Sequence, residues 1–159
     1  MSGFGQRFVV DTNTLSQIGK RRRASAFFLN NVVIPEEVLH EAGASADIGT
    51  LENLIYPTTA DVLNHLVRIM ATVAIEDNSL VNLYSNKGSA DPLLVACALD
   101  AQGRDSDLLY APEWIVVTND EAVRIKAEQF ALKSLTNVEF AALIDESEAS
   151  AHAVKSDEA

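Results

Sequence analysis

Short runs of β-branched and aromatic residues alternate along this chain with longer segments in which apolar residues recur every three or four positions. Arg7-Phe8-Val9-Val10, Val32-Val33-Ile34 and residues 114–118 are apolar without strict alternation, the pattern of strands covered on both faces. Residues 53–56 and 134–137 predict two further short strands. Helices are expected over 15–29, after Pro35, from Thr58-Thr59-Ala60-Asp61 onward, over 77–84, from Ala90-Asp91-Pro92 to near Gly103, over 121–131, and from Val138. In the third of these, Val62, Leu66, Ile69, Met70 and Val73 mark one apolar face. Several boundaries have a local cause: Asp caps helix N-termini, Pro suits the first turn, and Gly ends helices. Strand–helix alternation makes an α/β fold the economical solution, a three-layer α/β/α sandwich around a mostly parallel sheet. Such sheets place ligands beyond the carboxyl ends of their strands, near the point where strand order reverses.

Composition supports one domain. The chain has 159 residues, 48% of them hydrophobic and 22% charged, and at this size about 70% of the unfolded surface can be buried. A domain is expected over residues 1–146, with an acidic, disordered tail over 147–159. A single cysteine, Cys97, excludes an internal disulfide and a cysteine-based zinc site, and its apolar neighbours predict burial. The longest apolar stretch, residues 92–99, is far short of the roughly 20 residues of a membrane helix. The first residues carry no signal-peptide core, so a soluble cytoplasmic protein is the expectation.

The net charge of −11 argues against a surface that binds phosphate everywhere. The distribution is uneven: residues 1–40 hold five bases against three acids, a local +2 that leaves −13 on the remainder. Four of those bases are consecutive, Lys20, Arg21, Arg22 and Arg23. They are either a local RNA contact or an ordinary solvated helix face.

Candidate chemistry lies at the strand exits. Asp11 follows the first strand, and Asp120 follows the 114–118 strand after Asn119, so a parallel sheet puts both on one rim. Asp91 opens the helix returning to that strand, and Glu41 lies one helical turn beyond Glu37. Each has a plain alternative, since Asp91 and Asp120 can simply cap helices and Glu41 can simply be solvated. Together, however, converging carboxylates repel one another unless a cation is present. Oxygen-only ligands select Mg²⁺ or Mn²⁺, and such a site suits phosphodiester hydrolysis. Other catalytic sets are poorly supported. His40-Glu41 begins a zinc-protease motif, but Ala44 stands where the second histidine is needed, and the glycines form no phosphate-cradling loop. A phosphatase of the haloacid-dehalogenase type needs a second Asp where this chain has Asn13.

Four segments carry a family resemblance: Val9-Val10-Asp11-Thr12-Asn13, Ile34-Pro35-Glu36-Glu37-Val38-Leu39-His40-Glu41, Ala90-Asp91-Pro92-Leu93-Leu94-Val95-Ala96 and Val116-Val117-Thr118-Asn119-Asp120. In that order they resemble the acidic motifs of PIN-domain nucleases, from residue 7 to about 145. The resemblance implies a PIN-like fold and a Mg²⁺- or Mn²⁺-dependent ribonuclease. Asp11, Glu41, Asp91 and Asp120 are then its acidic quartet, and Asp11, Asp91 and Asp120 its metal ligands. Thr12, Asn13, Thr118 and Asn119 take supporting places, and Glu36 and Glu37 are rivals of Glu41. Many small members are VapC-type toxins of type II toxin–antitoxin pairs, which implies an RNA substrate, a homodimer and an antitoxin with a basic segment. A PIN-like scaffold without activity, binding RNA or protein, is the alternative.

Overall fold

Among the described residues, five strands form one sheet: β1 (Gln6–Val10), β2 (Val32–Pro35), β3 (Ile55–Tyr56), β4 (Glu113–Val117) and β5 (Lys133–Leu135). Their order is β3-β2-β1-β4-β5, and every pairing is parallel. The computed structural model describes residues 5–42, 48–74, 76 and 91–157. Its helices are α1 (Thr12–Arg23), α2 (Ala26–Asn31), α3 (Glu36–Glu41), α4 (Ile48–Leu51), α5 (Ala60–Met70), α6 (Asp91–Asp105), α7 (Glu121–Gln129) and α8 (Asn137–Asp157), with a 3₁₀ turn at Glu52–Leu54. None of the described helices is long and apolar enough to cross a membrane.

The period-two geometry of strands divides the core into two layers. Phe8 and Val10 of β1, with Ile115 and Val117 of β4, face Leu15 and Ile18 of α1, Phe28 of α2, Val38 of α3, and Phe140 and Ile144 of α8. Val9 and Val116 point the other way, toward Val62 and Ile69 of α5, Val123 of α7, and the apolar run from Leu93 to Ala98 in α6. Both faces of the central strands are therefore covered, which is why their sequences read as unbroken apolar runs. The three-layer α/β/α expectation holds. Strands are added from β1 to β2 and β3 on one side, then β4 crosses to the other side of β1. The order reverses between β1 and β4, and their exits flank the switch point.

Several elements depart from the sequence reading. The helix expected over 15–29 is broken twice: α1 kinks at Gly19, whose φ and ψ are not helical, and Ser25 starts α2 by accepting the Phe28 N–H. The strand expected over 53–56 is only Ile55–Tyr56, preceded by the 3₁₀ turn. Gly103 does not end α6, which continues to Asp105. The expected disordered tail from Ser147 is helical through Asp157. Good helix formers such as Ala149, Ala151 and Ala153 continue it, and Arg21 pairs with Asp145 and Glu148 near its middle. The helix expected over 77–84 lies outside the described residues.

Candidate active site

Asp11 leaves β1 and immediately caps α1. One carboxylate oxygen accepts the Thr14 N–H at 2.7 Å, and the other accepts the Thr118 hydroxyl at 2.5 Å. Only 7% of Asp11 is exposed, and Thr118 is fully buried. The Thr118 oxygen in turn accepts the Asp120 N–H at 3.1 Å. A single hydroxyl thus joins the exits of β1 and β4, the two strands flanking the switch point. Asp120 caps α7 with one oxygen, which accepts the N–H groups of Ala122 and Val123. Its other oxygen accepts no hydrogen bond among the described residues. The N-termini of α1 and α7 both meet this rim, and their dipoles favour negative charge there.

Glu41 is tied to the same region through Thr12, whose hydroxyl donates to it at 2.7 Å. Thr12 and Glu41 also border a cavity of about 250 Å³. Its rivals stand apart: Glu36 accepts the Thr58 N–H and Glu37 is exposed. Asn13 is exposed, while Asn119 accepts the Asn137 N–H at 2.9 Å and so ties the β4 exit to α8. Asp91 opens α6, and its side chain lies outside the described residues. Asp11, Asp120 and, through Thr12, Glu41 are therefore drawn to one rim.

The basic cluster is engaged within the protein. Arg21 reaches Asp145 and Glu148, and Arg22 forms a two-pronged pair with Asp145. These guanidiniums hold the Asp145 carboxyl down at about 2. Arg23 donates to the Leu15 carbonyl. Lys20 stays exposed.

Two residues beyond the motifs belong to the rim. Thr14 is buried between the Val117 carbonyl at 3.2 Å and the Asn137 amide oxygen at 2.6 Å. Asn137 stands just past β5, which ends at Leu135; the strand expected over 134–137 takes Asn137 in, so the sequence does not mark it as a strand exit. Cys97 is buried as expected, and burial pushes its thiol up to about 12.

The donor chemistry fits a hard divalent cation. Asp11 and Asp120 offer oxygens alone, and Mg²⁺ commonly takes one or two carboxylates while keeping waters and substrate phosphate. Among the described residues, no three acidic, histidine or cysteine side chains gather as a metal cluster, so the fit rests on this carboxylate pair.

No curated protein matches this chain. A chain from the structure of FitAB bound to an IR36 DNA fragment has 15% sequence identity, covering 82% of this chain and 94% of that one at a TM-score of 0.47. A family model described as a PIN domain matches residues 8–137, from the third residue of β1 through β5 and both linked strand exits, and the chain belongs to the PIN-domain family.

Proposed function

We propose that this chain is a Mg²⁺- or Mn²⁺-dependent ribonuclease that hydrolyses RNA phosphodiester bonds. The observation that carries the proposal is the pairing of Asp11 and Asp120 through the Thr118 hydroxyl at the switch point. Asp11, Asp120 and Asp91 are the proposed ligands. When bound, the ion supplies a water of lowered pKa and neutralises charge building on the phosphate. The protein's own part is positional. Thr118 and the α1 and α7 caps hold the two carboxylates in place, and Glu41, fixed by Thr12, orients the attacking water. The Asp120 oxygen that accepts no hydrogen bond among the described residues supports this reading over a purely capping role, which needs only the other one.

The finer proposal is the toxin half of a type II toxin–antitoxin pair, acting as a homodimer. An acidic rim on a chain of net charge −11 attracts a basic antitoxin segment. The scaffold alternative has one observation behind it, since helix capping alone is reason enough to keep Asp11 and Asp120.

Incubation of purified protein with RNA and Mn²⁺, beside a chelator control, separates the two. Cleavage that the chelator stops supports the nuclease. Asp11→Asn keeps the Thr14 cap but removes the charge and the acceptor of the Thr118 hydroxyl, so it should abolish cleavage while the protein still unfolds cooperatively, about 1–3 kcal/mol below the parent. Undiminished cleavage by that variant excludes the proposed site.

A further inference from the structure

Beside the carboxylate rim, between α1 and α8, lies a cavity of about 430 Å³. Two of its lining residues belong to the rim: Asn119 directly precedes Asp120, and Asn137 bonds to Thr14, whose N–H caps Asp11. Asn137 is only 4% exposed, and its amide nitrogen is buried without a hydrogen-bond partner among the described residues. The Thr14 hydroxyl has one proton for two acceptors, Val117 O and the Asn137 amide oxygen. Turning the amide so that its NH₂ donates to Thr14 resolves that conflict and leaves the oxygen unpaired instead. In either arrangement, one end of a buried amide in the cavity wall lacks a partner, which native interiors rarely tolerate.

We infer that this cavity is a nucleobase subsite adjoining the scissile phosphate. The inference rests on RNA being the substrate and adds a recognition element to that reading. Three side-chain amides line the cavity, those of Gln17, Asn119 and Asn137. An amide offers donor and acceptor side by side, as base edges do, and single-stranded RNA is read through such contacts. Val138, 78% exposed at the same cavity, gives an apolar surface for the base to cover. Charge favours a base over a second phosphate. The cationic group in the wall, Arg22, is already neutralised by its two-pronged bond to Asp145.

The test is a titration of isotope-labelled protein with short single-stranded RNAs of each base, in chelator, so that no cleavage occurs. Side-chain amide resonances of Gln17, Asn119 and Asn137 should shift with one base and much less with the others. Cleavage in Mn²⁺ of an RNA pool randomised around the cut site should show the same preference. Gln17→Leu, and Asn119→Asp, which keeps the acceptor for the Asn137 N–H, should each change that preference by about fivefold or more. The measure is a ratio between sites within one reaction, so a change in overall rate does not mimic it. Cleavage with unmoved amide resonances, or with a preference the variants share, overturns the subsite and leaves the nuclease standing. Base-selective shifts without cleavage remove the nuclease and leave a base-binding site that adjoins no scissile phosphate. Neither shifts nor cleavage overturns both.

Discussion

Thr118 is the residue on which the proposed site turns. Its hydroxyl donates to Asp11 and accepts from the Asp120 backbone, so it is a positioning residue with both of its hydrogen-bonding roles used. Thr118→Val keeps the shape but leaves a buried carboxylate oxygen and an N–H without their partner, at a cost of about 1–3 kcal/mol. Thr118→Ser restores both bonds. Denaturant unfolding should therefore rank parent and Ser close together and Val below them, and the metal-dependent cleavage rate should follow the same order. A Val variant with full activity would show that the link from the Asp11 carboxylate to the Asp120 backbone does not matter. This residue also marks how far a sequence can be read. Strand exits point to Asp11 and Asp120 because position relative to a strand is local information. The partner of each is not, since Thr118 and Asp11 are 107 positions apart and Thr14 and Asn137 are 123 apart. Only the family resemblance prefers Glu41 to Glu36 and Glu37; in the structure it is Glu41 that accepts the Thr12 hydroxyl, one residue from Asp11.

At the scale of elements, the first helix is the instructive miss. Apolar spacing runs through Leu15, Ile18, Phe28 and Leu29, so periodicity alone joins two helices into one. Two local signals mark the breaks: Ser25, a capping residue three positions before Phe28, at the start of α2, and Gly19, at a kink within α1. Gly19 sits at φ +82° and ψ 164°, a backbone region nearly closed to side chains. No atom lies within 4 Å of where its Cβ would be, so Gly19→Ala meets no clash and should cost about 1–3 kcal/mol from backbone strain alone. A lower denaturant midpoint at unchanged slope is the expected reading. The docking of α8 on α1 has a pH signature. Asp145 titrates at about 2, held down by hydrogen bonds from Arg22 and Arg21. A depressed carboxylate stabilises above its unfolded pKa, so this tie is complete above about pH 4 and is lost as pH falls toward 2. Carboxyl chemical shifts should place the Asp145 midpoint near 2, and Arg22→Gln should return it toward ordinary carboxylate values.

For the molecule as a whole, charge and burial divide α8 at a definite point. Phe140 and Ile144 are fully buried, with Phe140 packed 5.0 Å from Phe8 in the central strand. Beyond Glu146 no described residue of the helix is buried. Composition predicts a disordered tail here because acidic, alanine-containing sequence reads the same whether it is frayed or helical. What distinguishes the two is the Arg21 and Arg22 pairing with residues more than 120 positions away. The domain boundary drawn at 146 still makes an energetic claim. A chain ending at Glu146 keeps Asp145 and the aromatic core and loses one exposed ion pair, of Arg21 with Glu148, worth about 1 kcal/mol or less. It also sheds three acids and one lysine, which lowers the net charge from −11 to −9 and weakens the repulsion of RNA. Such a chain should unfold within a few degrees of the parent and cleave RNA at least as fast in low salt, the difference closing as salt rises. A chain ending at Asn137 forfeits Phe140 and Ile144, at roughly 3–5 kcal/mol for the aromatic ring alone, and should not fold cooperatively. Circular dichroism melts of the two truncations test the division directly. Loss of cooperative folding on cutting at 146 would show that the exposed half of α8 carries structural weight that its burial does not account for.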